Sequence, residues 1–253
     1  MISFFRGLII PVIAMQFMWR HRALLKFAFI PIIINIVVFT AGGIISWIYF
    51  KDWLHALLPS QGDTWYWQAL FYISVIFFTL VLAIIIALTF TIFGSIIASP
   101  FNDVLSEKTE RIINADWHDV PFSWKMVLGD AARSFSQELK KIIFFAVLFG
   151  GLFIINILPG AGSAVYLILN AFCTLWVLAL EFIDFSMTRR RFSLFQKLKY
   201  IFRHIIPMIG FGASLFVLFF IPLVNYLLLP TAVVGGTILF FELHSGKKFN
   251  SFP

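Results

Sequence analysis

Charge is the first thing this chain lacks. Only 12% of its 253 residues are Asp, Glu, Lys or Arg, about half the share found in a soluble domain. So few charges cannot cover a large core with a water-soluble surface. Cysteine is nearly absent as well. The single Cys173 excludes an internal disulfide and a multi-cysteine metal site, and its apolar neighbours make it a small packed residue. The sequence has no phosphate-binding loop with its lysine, no H-E-x-x-H, no Cys/His metal spacing and no G-x-S-x-G elbow. Gly160-Ala161-Gly162 begins a G-x-G but lacks the third glycine and a preceding strand. The histidines at 21, 55, 118, 204 and 244 are scattered. No catalytic residue, metal ligand or cofactor is therefore assigned, and the chain is not read as an enzyme. No soluble linker or low-complexity segment divides it.

What the chain has instead is apolar length. Apolar residues make up 61% and aromatics 19%, with 33 Phe. The fold class this implies is all-α: a polytopic membrane protein forming one membrane domain over residues 1–253. Residues 27–50 form an uncharged run of 24 residues. At ~1.5 Å per residue a helix of that length exceeds the ~30 Å hydrocarbon core. Residues 69–99 form a second uncharged run, of 31 residues, long enough to tilt or protrude. Residues 1–22 lack a small-x-small cleavage site, and their apolar part is followed by Arg20, His21 and Arg22, so they read as a retained helix in the membrane interface, interrupted at Pro11.

Two further apolar regions, 142–180 and 205–241, are each split by a proline-containing turn with no charged residue: Pro159-Gly160-Ala161-Gly162 and Pro222-Leu223-Val224-Asn225. They read as two Pro-interrupted helical hairpins that enter the membrane and turn inside or just beyond it. The hairpins resemble each other around Pro159 and Pro222, and paired short interrupted segments point to a transport site. Ser99-Pro100 reads as a chain break that ends the second span and opens a new helix. Apolar stripes in residues 100–141 then predict amphipathic cytoplasmic helices. Ser193 and Gln196 form a capping-box pattern, and the helix they open is expected to kink at Pro207. The glycine pairs 42–43, 150–151 and 235–236 are expected to let helices pack closely. Glu181 and Asp184 lie about one turn apart and are expected to pair with Arg189 to Arg191, with a proton relay as the other reading.

The formal charge of +7 is explained by topology rather than by nucleic acid. Of 19 Lys and Arg, 18 fall before the first long run, in 100–141, in 189–203, or at 247–248; only Lys51 lies between the two long runs. The positive-inside bias makes that side cytoplasmic and puts both termini there. Trp47, Tyr49, Trp53, Trp65, Tyr66 and Trp67 flank the opposite loop as an aromatic belt.

Several spaced motifs together resemble one family. They are Pro31-x-x-x-Asn35, Ile97-Ala98-Ser99-Pro100-Phe101-Asn102, Glu138-x-x-Lys141, Pro159-Gly160-x-Gly162, Trp176-x-x-Ala179, Asp184, Pro222-Leu223-x-Asn225, and Pro230 followed by Gly235. Their order and spacing over nearly the whole chain are similar to the CysZ sulfate permeases, which share a domain with the etoposide-induced membrane proteins. The resemblance implies a bacterial inner-membrane permease that admits sulfate for cysteine synthesis. It also implies two long spanning helices, hemi-penetrating hairpins, a homo-oligomer and no ATP-binding subunit. The chain departs from the family in two places. Leu25-Lys26 stands where the permeases carry adjacent arginines, and Phe185 to Arg191 lacks their Pro, Asp, Asn and His.

A divalent oxyanion entering a membrane must have its hydration replaced by cations and N–H donors. Arg22 and Lys26, with Arg20, are candidates for attracting it, and Lys26 matches one of the permeases' arginines. Helix starts after Ser99, after Gly160-x-Gly162 and near Asn225 are candidate sources of N–H groups. Asn35 and Asn102 are expected to line the path. Partners are thus sulfate or a related oxyanion and membrane lipids, with no nucleic acid. The competing reading is a non-transporting membrane-organising protein of the etoposide-induced type, in which these asparagines are satisfied by nearby backbone groups.

Overall fold

The computed structural model describes residues 3–57, 64–114, 124–158 and 162–246. Within them lie eight helices and no strand: α1 (Phe4–Arg20), α2 (Arg22–Leu57), α3 (Trp65–Ile113), α4 (Trp124–Ile157), α5 (Gly162–Arg189), α6 (Leu194–Arg203), α7 (Ile205–Phe219) and α8 (Pro222–Ser245). Five of these contain stretches long and apolar enough to cross a membrane, on α2, α3, α4, α5 and α8, and α6 with α7 forms a bent sixth candidate. Large exposed apolar side chains such as Ile33, Val37, Ile73, Ile76, Ile154 and Ile168 cover them, a surface that only lipid or another protein can cover. The chain is an all-helical, polytopic membrane protein.

Two compact units are present. The smaller is Lys26–Phe101, the long apolar parts of α2 and α3. Gly94 on α3 faces Asn35 on α2, and the Asn35 amide nitrogen donates to the Gly94 carbonyl at 3.4 Å. Trp47, Tyr49, Trp65, Tyr66 and Trp67 are all exposed at one end of these two helices, where amphipathic rings suit an interface.

The larger unit takes the described residues up to Leu25 and from Asn102 onward. Its core is α1, α5, α7 and α8. α1 buries Gly7, Ile10, Pro11, Ala14, Phe17 and Met18, a stripe at i, i+3, i+4, i+7 that packs on α7 and α8. α8 is the central helix: 72% of its apolar window is buried, against at most 17% in the other four spans. Glycines decide how closely these helices approach. A Cβ on Gly7 would overlap the Pro207 carbonyl, and one on Gly210 the Phe4 carbonyl. One on Gly212 would overlap the Leu175 carbonyl, and one on Gly236 the Phe182 carbonyl. Backbone therefore rests on backbone where α7 crosses α1 and α5, and where α8 crosses α5. Gly235 packs against Ile10 and Phe211 side chains, whereas Gly42, Gly43, Gly150 and Gly151 face open space. Of the three expected pairs, only 235–236 packs helices within the described chain.

Prolines depart from expectation in an instructive way. Pro11 and Pro100 each lie inside a helix, so α1 is not interrupted and no chain break occurs at Ser99-Pro100. Pro31 and Pro230 are likewise internal. A proline removes one N–H bond, but in a low-dielectric setting the rest of the backbone has no better place for its hydrogen bonds than the helix. The apolar segment expected to start at Ile142 is continuous with the preceding stripe, because α4 runs unbroken from Trp124. The kink expected at Pro207 falls at His204, where α6 and α7 meet at 94°. Pro207 cannot donate to Arg203 and its ring crowds that carbonyl, so the helix breaks one turn earlier and Pro207 falls in the donor-free first turn of α7. Pro222 is at the N-terminus of α8, so the second hairpin turns there as expected. Pro159 lies outside the described residues.

Gly212→Ala is expected to lower thermal stability in detergent by about 1–3 kcal/mol, the range for overpacking. Gly150→Ala, with open space around it, is expected to stay within about 1 kcal/mol of the parent or gain slightly from helix propensity. Equal unfolding temperatures for the two variants would contradict the backbone contact between α5 and α7.

Candidate functional site

The expected anion residues fall into two groups. In the larger unit, Arg22 opens α2 and is exposed, and it makes no ion pair among the described residues. Asn102 is half-buried on α3. Gly162 begins α5 and is buried; a Cβ there would overlap the Ile155 carbonyl, so its smallness closes the first hairpin. The α8 backbone starts at Pro222, placing Asn225 in its first turn, while the Asn225 side chain and all of Gly160 lie outside the described residues. In the smaller unit, Lys26 is exposed and has no ion pair among the described residues. Within the larger unit no hydrogen bond or ion pair joins Arg22, Asn102 and Gly162, and within the smaller none joins Lys26 and Asn35.

Two expected roles change. Ser99 is not a helix start: α3 is continuous there, so its N–H groups are already used in the helix. The proline removes a donor and frees a carbonyl, the wrong polarity for an anion. The Asn35 amide faces an acceptor, the Gly94 carbonyl, so its nitrogen must point there; its oxygen is buried without a hydrogen-bond partner.

The larger unit also holds buried ion pairs that the sequence did not reveal. Glu242 has no exposed surface, and Arg6 grips it with two bonds, Nε to Oε2 at 3.1 Å and Nη2 to Oε1. Lys141, 5% exposed, donates to Glu181 at 2.9 Å and to Asp184 at 3.4 Å. Lys197, 3% exposed, completes this cluster by pairing with Asp184 and donating to the Thr188 hydroxyl at 2.8 Å. Arg189 spans Asp103 (3.0 Å), Ser106 (2.7 Å) and Glu110 (3.1 Å). Arg190 pairs with the other Glu110 oxygen and lies over the Phe240 ring, 4.6 Å from its centroid. The Tyr200 hydroxyl donates to the Phe240 carbonyl at 3.5 Å.

These contacts correct the expectation for Asp184 and Glu181. Their partners are Lys141 of α4 and Lys197 of α6, not Arg189 to Arg191. On a helix, a residue five positions on points about 140° away, so Asp184 and Arg189 diverge toward different neighbours. Two weak signals were available in the sequence. Lys141 stands at the edge of an uncharged run, and Lys197 is the one charged residue on the otherwise apolar face of a short amphipathic helix. Nothing local marks Arg6 and Glu242 as partners, since 236 residues separate them.

Breaking a buried pair by removing one member costs about 3–5 kcal/mol, because the other charge is left unpaired. Arg6→Met is expected to destabilise by that amount in thermal unfolding. Arg6→Met combined with Glu242→Gln is expected to recover a large part of the loss, and a double variant no more stable than Arg6→Met would contradict the pairing.

Comparison with known proteins accords with this geometry. The family model described as Sulfate transporter CysZ/Etoposide-induced protein 2.4 matches residues 10–230. A protein named "Sulfate transporter CysZ" from Pseudomonas paraeruginosa is 30% identical over 223 residues, covering 88% of this chain and 89% of that one. The protein of that name from Pseudomonas aeruginosa (strain LESB58) is 30% identical with the same coverage. Its namesake from Pectobacterium atrosepticum is 24% identical over 220 residues, covering 86% of this chain and 78% of its own. With most of its length matched and its helices long and apolar, the chain belongs to the Sulfate transporter CysZ/Etoposide-induced protein 2.4 family.

Proposed function

We propose that this protein is a sulfate permease of the bacterial inner membrane, a homo-oligomer whose two units act as one membrane domain and supply sulfate for cysteine synthesis. The observation that carries this reading is the likeness, over 88% of the chain, to proteins named for sulfate transport. The family's description and its relatives name a sulfate transporter and no enzymatic reaction, so the chain is not read as an enzyme. The bias of 18 of 19 Lys and Arg to one side of the long apolar runs supports cytoplasmic termini.

In this reading Arg22 and Lys26 receive the anion. Most of the other cations traced above are spent on internal carboxylates: Arg6, Lys141, Arg189, Arg190 and Lys197 all hold one. Arg22 and Lys26 are exposed and hold none among the described residues. They stand one helical turn apart, at the start of a long span in which any further charge would be costly. The first turns of α5 and α8, at Gly162 and around Asn225, are the candidate sources of N–H groups for the anion. Asn102 remains a candidate lining residue. Asn35 contributes at most the second hydrogen of its amide, because the first is directed at Gly94.

That Asn35 bond is also the observation that favours the second reading, a membrane-organising protein that moves no solute. The two separate in liposomes holding the purified protein. Sulfate flux above protein-free vesicles supports the permease, and its absence supports the other. For the site, Lys26→Ala is expected to weaken both sulfate binding and flux by roughly tenfold, the value of a charge-assisted hydrogen bond, while Lys26→Arg preserves most of each. Unchanged binding and flux in Lys26→Ala would remove Lys26 from the site.

A further inference from the structure

The short helix α6 has two unlike sides. One is anchored: Ile201 is fully buried, Lys197 is held by Asp184 and Thr188, and a reciprocal bond pair between Ser193 and Gln196 caps the start. The other side carries Phe195, Lys199, Phe202 and Arg203, all exposed. At ~100° per residue these four fall within an arc of roughly 100°. Phe195 is 75% exposed and Phe202 57%, and neither Lys199 nor Arg203 makes an ion pair among the described residues. A face open only to water has no use for two bare phenyl rings. A purely lipid-facing one would not mix them with two free cations. Aromatic rings beside cations on one arc match the boundary between acyl chains and headgroups.

The elbow with α7 gives this face its orientation. α7 is an uncharged helix of 15 residues, set at 94° to α6. If α7 enters the bilayer along its normal, α6 lies in the membrane plane. At the elbow is an open cavity of about 280 Å³ lined by Arg203, His204, Ile205, Ile206, Pro207 and Glu242, among others. Two bonds from Arg6 neutralise Glu242, which leaves Arg203, among the described residues lining the cavity, as the basic side chain without an ion pair. That is a positive mouth of small-headgroup size, beside a face already suited to acyl chains.

We propose that the α6–α7 elbow binds the phosphate headgroup of an anionic phospholipid. Lys199 and Arg203 supply the charge, and Phe195 and Phe202 insert among the acyl chains. A free anion matches the charge but not the rings, which is why a lipid is the occupant. The proposal uses neither Arg22 nor Lys26 and does not depend on what solute the protein carries.

The test is binding of fluorescent phosphatidylglycerol to the purified full-length chain in detergent, with phosphatidylcholine of the same acyl composition as comparison and inorganic phosphate as competitor. Lys199→Gln combined with Arg203→Gln is expected to weaken phosphatidylglycerol binding by roughly tenfold or more, from the attraction of two basic residues for an anionic surface. Arg203→Lys is expected to retain most of the affinity, and Lys140→Gln, another exposed cation, all of it. Should the double variant fail to fold, the parent protein carries the test. Its affinity for phosphatidylglycerol, but not for phosphatidylcholine, must fall as salt rises from about 0.05 to 0.5 M. Unchanged affinity in the double variant overturns the proposal, as does an equal loss in Lys140→Gln. Displacement by equimolar inorganic phosphate also overturns it, by making the elbow a free-anion site. If Phe195→Ser with Phe202→Ser splits an oligomer and leaves lipid binding intact, a second copy covers this face and the proposal fails.

Discussion

Glu242, near the end of the last helix, has no contact with solvent, and it is gripped there by Arg6 from the first helix. An isolated carboxylate in such surroundings would lose several kcal/mol of hydration with nothing in return. The two-bond grip is what makes α8 tenable as the central helix of the larger unit, because it lets that helix end in a charge without water. It also fixes how α1 lies. With Arg6 tied to Glu242, the small side of α1, at Gly7, faces α7, and the two backbones come close enough that only glycine fits at Gly7 and Gly210. The remaining ion pairs repeat the same arrangement. Lys141 of α4 and Lys197 of α6 each reach α5, and Arg189 and Arg190 at the end of α5 reach α3, so these polar links run between helices and hold their register.

Such pairs are weak grounds for claiming extra stability, since an apolar replacement of both partners is often no worse. Their value lies in direction. Apolar helices in lipid have no strong hydrophobic reason to prefer one neighbour over another. A buried cation with one reachable carboxylate does discriminate. The Lys141–Asp184–Lys197 cluster selects one rotation of α5 against α4 and α6, and the Arg189 and Arg190 contacts to Glu110 fix the last turns of α3 against α5.

The features legible in the sequence are those set by local rules. Runs of 24 and 31 uncharged residues announce spanning helices because hydrocarbon tolerates little else. The capping box at Ser193 forms as read, and Pro222 starts a helix as its geometry favours. Proline inside a helix was misleading, since rules learned in water assume that a broken backbone can turn to solvent; Pro11 is buried in the larger unit and had no such outlet, while Pro100 is exposed yet stays within α3. The partners of Asp184 were misassigned because nearness in sequence stood in for helical phase. For the candidate site, Arg22 and Lys26, which hold no carboxylate among the described residues, were visible as residues. That they hold none was not, because it depends on where every carboxylate goes. Ser99 failed as a donor source for the same reason as Pro100, and Asn35 acquired a partner 59 positions away.

The contact between α1 and the C-terminal helices also bears on how the molecule comes into being. Arg6 is made 236 positions before Glu242. At a synthesis rate of about 5–20 residues per second, roughly ten to fifty seconds pass between the two. For most of that interval neither α7 nor α8, the two helices on which α1 packs, has been made. The larger unit therefore cannot complete its core around α1 until both have followed.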